Sequence, residues 1–110
     1  MPPARLWDQE LVSSRLLEYE VWTRIHAKHL SESHGESVRS LVSRIALLEM
    51  IAPVLTRALE PFPVRIRTLD ALHLASIEFL KERLPDIQLA SYDSRMLAAA
   101  RKLEIRRYKL

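Results

Sequence analysis

Residues 87–108 read IQLASYDSRMLAAARKLEIRRY, and the order of elements in this stretch decides the fold. Ile87 to Ala90 has the composition of a short strand. Ser94 can cap a helix running to about Leu103, and Ile105-Arg106-Arg107-Tyr108 alternates like a closing strand. Strand, helix, strand in that order implies a parallel pair joined by a right-handed crossover, so the expected class is α/β. Ligand crevices of open α/β sheets lie beyond the carboxyl ends of the strands, and Asp93 stands at such an end. Asp70 opens a helical stretch, Arg67-Thr68-Leu69-Asp70-Ala71-Leu72-His73-Leu74-Ala75. Two carboxylates so placed make an acidic, metal-binding site the first expectation.

Upstream, Leu69 to Leu84 is apolar nearly all round, which predicts a heavily buried helix ended by Pro85. Pro53 followed by Val54 to Leu59 reads as a short helix with proline in its first turn, ended by Pro61-Phe62-Pro63. Leu47 to Ala52 fits strand or helix. Ser31 to Glu36 is expected as a polar loop. Within it Ser33 and Glu36 have the spacing of a capping box for a helix from about His34 to Ala46. Glu10 to Ser14 reads as a short strand, followed by a helix from about Leu16 to His29.

The chain is 110 residues long, which allows one hydrophobic core, so residues 1–110 are read as a single domain. Hydrophobic residues make up 48%, against disorder. The absence of cysteine excludes disulfides, thiolate metal sites and a cysteine nucleophile. Gly35 is the one glycine, so a Walker loop and a dinucleotide fingerprint are both excluded. A net charge of +3, from 17 Lys+Arg against 14 Asp+Glu, permits a polyanionic partner without implying one. No apolar run approaches the roughly 18 residues of a membrane span, and Met-Pro-Pro-Ala-Arg does not read as a signal peptide; a soluble, cytoplasmic protein is expected.

Three blocks carry a family resemblance: residues 13–24 (SSRLLEYEVWTR), 67–75 (RTLDALHLA) and 91–100 (SYDSRMLAAA). In order and spacing they resemble the signature blocks of PIN-domain ribonucleases of the VapC toxin type. The resemblance implies a three-layer domain with a small parallel sheet flanked by helices. It also implies an endoribonuclease dependent on Mg²⁺ or Mn²⁺, usually a homodimer, held inactive by a cognate antitoxin. Glu20, Asp70 and Asp93 carry over as the catalytic and metal-holding acids, and Ser91 as a supporting hydroxyl. The family's fourth acid ends an N-terminal strand that lies in the middle of the sheet, and Asp8, with no apolar strand before it, does not match it. The chain is therefore expected to be an N-terminally truncated version of the fold, or one whose start was assigned too late. Without the central strand two strand edges would face each other unpaired, which predicts oligomerisation, a rearranged strand order or marginal stability.

Carboxylates are the hard ligands such ions take, and metal-assisted phosphodiester hydrolysis is the chemistry they would serve. Arg65, Arg67 and Arg95 flank the two aspartate blocks and could contact RNA phosphates, or be solvated surface residues. Each acid also has a structural reading. Glu20 precedes Arg24 by four residues, the spacing of a helical ion pair, while Glu18 faces elsewhere. Asp70 could complement a helix dipole and Asp93 could cap the following helix. His73, three residues after Asp70, is expected to be buried with one hydrogen bond, and Tyr19 and Trp22 to serve packing or an interface. The competing functional reading is a catalytically inactive relative that binds antitoxin or RNA, or only dimerises.

Overall fold

A computed structural model describes residues 3–110; Met1 and Pro2, the start of the stretch tested above for a signal peptide, lie outside the described residues. After a 3₁₀ turn at Ala4–Asp8, the chain runs β1 (Leu11–Ser14), α1 (Leu16–Ala27), α2 (Ser31–Val42), β2 (Ile45–Leu48) and α3 (Ala52–Ala58). It continues through α4 (Thr68–Arg83), β3 (Gln88–Leu89), α5 (Ser94–Lys102) and β4 (Arg106–Arg107). The class is α/β, and no helix among the described residues is long and apolar enough to cross a membrane.

The strands form two separate parallel pairs rather than one small sheet. In the first, Leu11 lies opposite Ile45 and Ser14 opposite Leu48. In the second, Gln88 lies opposite Arg106 and Leu89 opposite Arg107, with α5 as the crossover. The expected strands at 87–90 and 105–108 are thus shorter than their apolar patterns. Each pair leaves outer edges without a further strand among the described residues.

The segment expected as a polar loop is helical. His29 takes the left-handed conformation (φ 55°), which turns the chain sharply enough for α2 to begin at Ser31. Ser33 and Glu36 then sit inside α2, so the expected capping box is not formed; Ser33 Oγ donates instead to the Leu30 carbonyl. The polar residues there reflect an exposed helix face. Gly35 is buried where α2 faces Trp22 of α1. Trp22 lies under the Arg39 guanidinium, 5.1 Å from ring centroid to Cζ, and stacks at 5.7 Å on His26, so its role is packing. Tyr19 is exposed. The expected second helix stops at Val42 rather than Ala46; its last two residues, 45–46, are strand, and Leu47 and Leu48 of the ambiguous region continue that strand.

The main core lies in the C-terminal half: Leu74 and Ile77 of α4, Met96, Ala99 and Ala100 of α5, and Ile105. Phe62, Val64 and Ile66 of the segment joining α3 to α4 pack against it. Arg57 ties this segment down, its Nε 2.8 Å from Glu78 Oε1 and its guanidinium 4.1 Å from the Phe62 ring centroid. The Glu78 contact is one of charge, without the alignment of a hydrogen bond. α4 is less buried than its composition predicts: Ala71 and Leu74 to Ile77 are buried, but Leu69 and Leu84 are exposed. Glu104 (φ 62°) reverses the chain after α5 without a glycine, and Lys81 of α4 donates to the Glu104 carbonyl at 2.6 Å. α1 buries no residue completely. The radius of gyration, 14.4 Å, is slightly above the roughly 13 Å of a compact domain this long.

Candidate active site

β1 delivers Ser14 to the interior, 2% exposed, and one residue later α1 begins. Arg15, the joint between them, is held on both sides. Its backbone N–H donates to the Leu48 carbonyl at 2.8 Å, and its guanidinium pairs with Glu49 and, at 3.5 Å, with Glu18. The Glu49 hydrogen bond raises the Arg15 pKa further above its ordinary value; Glu18 and the Glu49 charge add to this and desolvation opposes it. Arg15 therefore stays charged, and Glu18 is committed to it.

Glu20, two residues on, turns the other way. Its Oε1 lies 2.5 Å from His73 Nε2 of α4, and His73 Nδ1 lies 2.8 Å from Ser14 Oγ. The alternative reading of Glu20, an ion pair with Arg24, is not what forms: Glu20 pairs with His73, whose side chain is 18% exposed. His73 makes two hydrogen bonds where one was expected, both to residues more than fifty positions away. Asp70 precedes His73 by three residues on the same helix, so the two lie on neighbouring positions of one face. Glu20 is thereby drawn to the face of α4 that carries Asp70. Asp70 makes no hydrogen bond or ion pair among the described residues.

Asp93 follows β3 and caps α5. Its Oδ1 accepts from the backbone N–H of Arg95 at 2.8 Å and of Met96 at 3.2 Å, while its own N–H donates to Ser91 Oγ at 3.0 Å. The cap is thus Asp93 rather than Ser94, and Ser91 braces it. Asp93 is exposed, with Oδ2 outside these bonds.

The three acids do not form a ready metal cage. Among the described residues no group of three His, Asp or Glu side chains stands close enough to hold an ion. Carboxylate oxygens suit Mg²⁺ or Mn²⁺, but Glu20 is directed to His73 and Asp93 to the α5 amides. As positioned, the residues do not fit the metal that the resemblance implies.

Arg65, Arg67 and Arg95 are exposed, and their side chains make no ion pair among the described residues. Arg65 and Arg67 line an open groove of about 800 Å³ with Leu55, Leu59, Phe62 and Leu72; Thr68 and Ala71 of α4 also line it, and Asp70 does not. Arg95 is elsewhere, on α5. Ser14 escaped the sequence reading, although its place at the end of a strand, directly before a helix, could have signalled it.

Comparison with known proteins supplies the context for this geometry. The PIN domain family matches residues 3–102. A Mycobacterium tuberculosis (strain ATCC 25618 / H37Rv) protein named Ribonuclease VapC46 is 37% identical over 92 residues, which cover 84% of this chain and 68% of that protein. Ribonuclease VapC47 of M. tuberculosis (strain CDC 1551 / Oshkosh) is 30% identical over 80 residues, covering 73% of this chain and 57% of that protein. The chain thus spans between half and about two thirds of the length of these relatives. No solved structure matches it significantly.

Proposed function

We propose, on the premise that the chain belongs to the PIN domain family, as the match over residues 3–102 shows, that it is an endoribonuclease of the toxin-antitoxin type. Glu20, Asp70 and Asp93 are its working acids. The observation that carries this reading is the Glu20–His73 hydrogen bond, which brings the acid of α1 to the helix that bears Asp70. An acid bound to His73 in that position serves the site, whereas an acid paired with Arg24 would serve only the helix surface.

In this reading Asp70, without a hydrogen bond or ion pair among the described residues, and the open oxygen of Asp93 face the reacting phosphodiester, and Arg65 and Arg67 hold neighbouring phosphates along the groove. Ser91 keeps Asp93 in place through its backbone N–H. A divalent ion of the Mg²⁺ or Mn²⁺ class belongs to this function, and to share one Asp70 and Asp93 would have to draw toward the Glu20 carboxylate where His73 holds it. The partners are an RNA substrate, an antitoxin protein and a second copy of the chain, in the cytoplasm.

The separation of the three acids favours a second reading, a catalytically inactive relative that binds antitoxin or RNA. Incubation of the purified chain with structured RNA in Mg²⁺ or Mn²⁺, beside EDTA and beside Asp70→Asn, separates the two. Cleavage that needs both metal and Asp70 supports the nuclease. A folded wild-type chain that cuts nothing establishes the binding module in its place, and equal cleavage by Asp70→Asn removes Asp70 from the site.

A further inference from the structure

We propose that His73 is a positioning residue that holds the Glu20 carboxylate in its working orientation, and that Ser14 fixes the imidazole which does so. The inference rests on the reading of Glu20 as a working acid and goes beyond it by giving roles to Ser14 and His73, to which the resemblance assigns none.

The direction of the hydrogen bonds follows from the groups. An ionised carboxylate only accepts, so Nε2 of His73 carries the hydrogen that Glu20 receives. In the neutral ring Nδ1 is then an acceptor, and the Ser14 hydroxyl donates to it across 2.8 Å. Ser14 is 2% exposed, so its hydroxyl has no water to turn to and the bond is the one it can make. The three side chains spell the order of a hydrolytic Ser-His-acid triad, but a serine sealed from solvent and substrate is no nucleophile. Its place is behind the histidine, locking the ring's tautomer and rotation, as partners behind a working ligand do.

Glu20 needs such a hold. It projects from α1, a helix with no fully buried residue, and its side chain is 39% exposed. A free glutamate there would sample many rotamers or pair with Arg24 one turn on. His73, whose side chain is 18% exposed, is fixed between β1 and α1 and bonds one carboxylate oxygen, leaving Oε2 for the reaction. Because α4 carries both His73 and Asp70, the same helix sets both acids.

A double-mutant cycle on RNA cleavage tests this, with His73→Phe removing the hydrogen bonds at similar volume, Glu20→Ala removing the acid, and both together. His73→Phe should lower kcat about 10- to 100-fold with KM little changed, the usual cost of losing an orienting partner. It should have no further effect in the Glu20→Ala background. His73→Gln, whose amide nitrogen can stand near Nε2, should recover part of the loss and guards against a folding defect in His73→Phe. Independently of activity, long-range ¹H–¹⁵N spectra of the wild type should show His73 as the Nε2–H tautomer, with that preference lost in Ser14→Ala. Additive losses in the cycle, or an Nδ1–H tautomer, would overturn the inference while Glu20 stood as a working acid. Full cleavage by Glu20→Ala, or none by a folded wild type, would overturn the proposed site and this inference with it.

Discussion

Asp93 performs two tasks that substitution can separate. Its Oδ1 accepts from the Arg95 and Met96 amides, and α5 in turn carries Met96, Ala99 and Ala100 into the core. Removing an N-cap acceptor costs about 1 kcal/mol. Losing the negative charge beside the helix dipole costs about 0.5 kcal/mol more at an exposed position. Asp93→Ala loses both, about 1.5 kcal/mol, whereas Asp93→Asn keeps a capping oxygen and loses only the charge. With an unfolding entropy near 2.1 cal/mol/K per residue, 1 kcal/mol corresponds to about 4 °C in a chain of this length. Thermal melts followed by circular dichroism should therefore show a Tm lower by about 6 °C for Asp93→Ala and about 2 °C for Asp93→Asn. RNA cleavage should be lost in both, because both lack the carboxylate. Equal destabilisation by the two variants would refute the capping geometry. Cleavage by Asp93→Asn at the wild-type rate would refute the catalytic role.

Two stability predictions test the packing on either side of the site. Gly35→Ala should raise Tm by about 2–4 °C, since it removes a helix-interior glycine worth about 0.5–1 kcal/mol while the added Cβ meets Arg39 Nη1 at 3.6 Å and Trp22 at 3.8 Å, ordinary contact distances. A lower Tm would mean that α1 and α2 approach more closely than described. Leu74→Ala, at a position with no solvent exposure, should cost about 2–5 kcal/mol and lower Tm by at least about 8 °C. A loss below about 4 °C would place the core elsewhere.

The α/β class was legible because the C-terminal stretch is punctuated: Pro85 follows α4, an acid caps α5, and Ile87 and Leu89 before α5 and Ile105 after it mark the strand segments on either side. The parallel pairing of β3 with β4 follows from that order. Residues 31–46 misled because polar composition argues for a loop only where no neighbour supports a helix. Trp22, packed against Gly35 from outside the segment, supplies that support, and the turn at His29 frees the start of α2. Periodicity could not reveal the division of the strands into two pairs, since edges are set by which strands meet in space. The candidate acids were legible as motifs, but their partners were not. Nothing local tells Glu20 to choose a histidine 53 residues away over the arginine four residues on.

That choice shows how the two halves of the molecule share one site. The C-terminal half is held by apolar burial, which is non-directional and keeps α4 and α5 together whatever the polar groups do. α1 buries no residue fully, and β1 and α1 meet α4 in part through hydrogen bonds, whose strength depends on alignment. Asp70 and Asp93 therefore stand on elements fixed by the core, while the position of Glu20 depends on polar contacts made across a seam. Small local openings at that seam would displace Glu20 long before the domain unfolds, since local opening costs less than global unfolding wherever few apolar contacts must be broken. Ser14, buried at the end of β1 and bonded to the helix that carries Asp70, is where the seam is pinned.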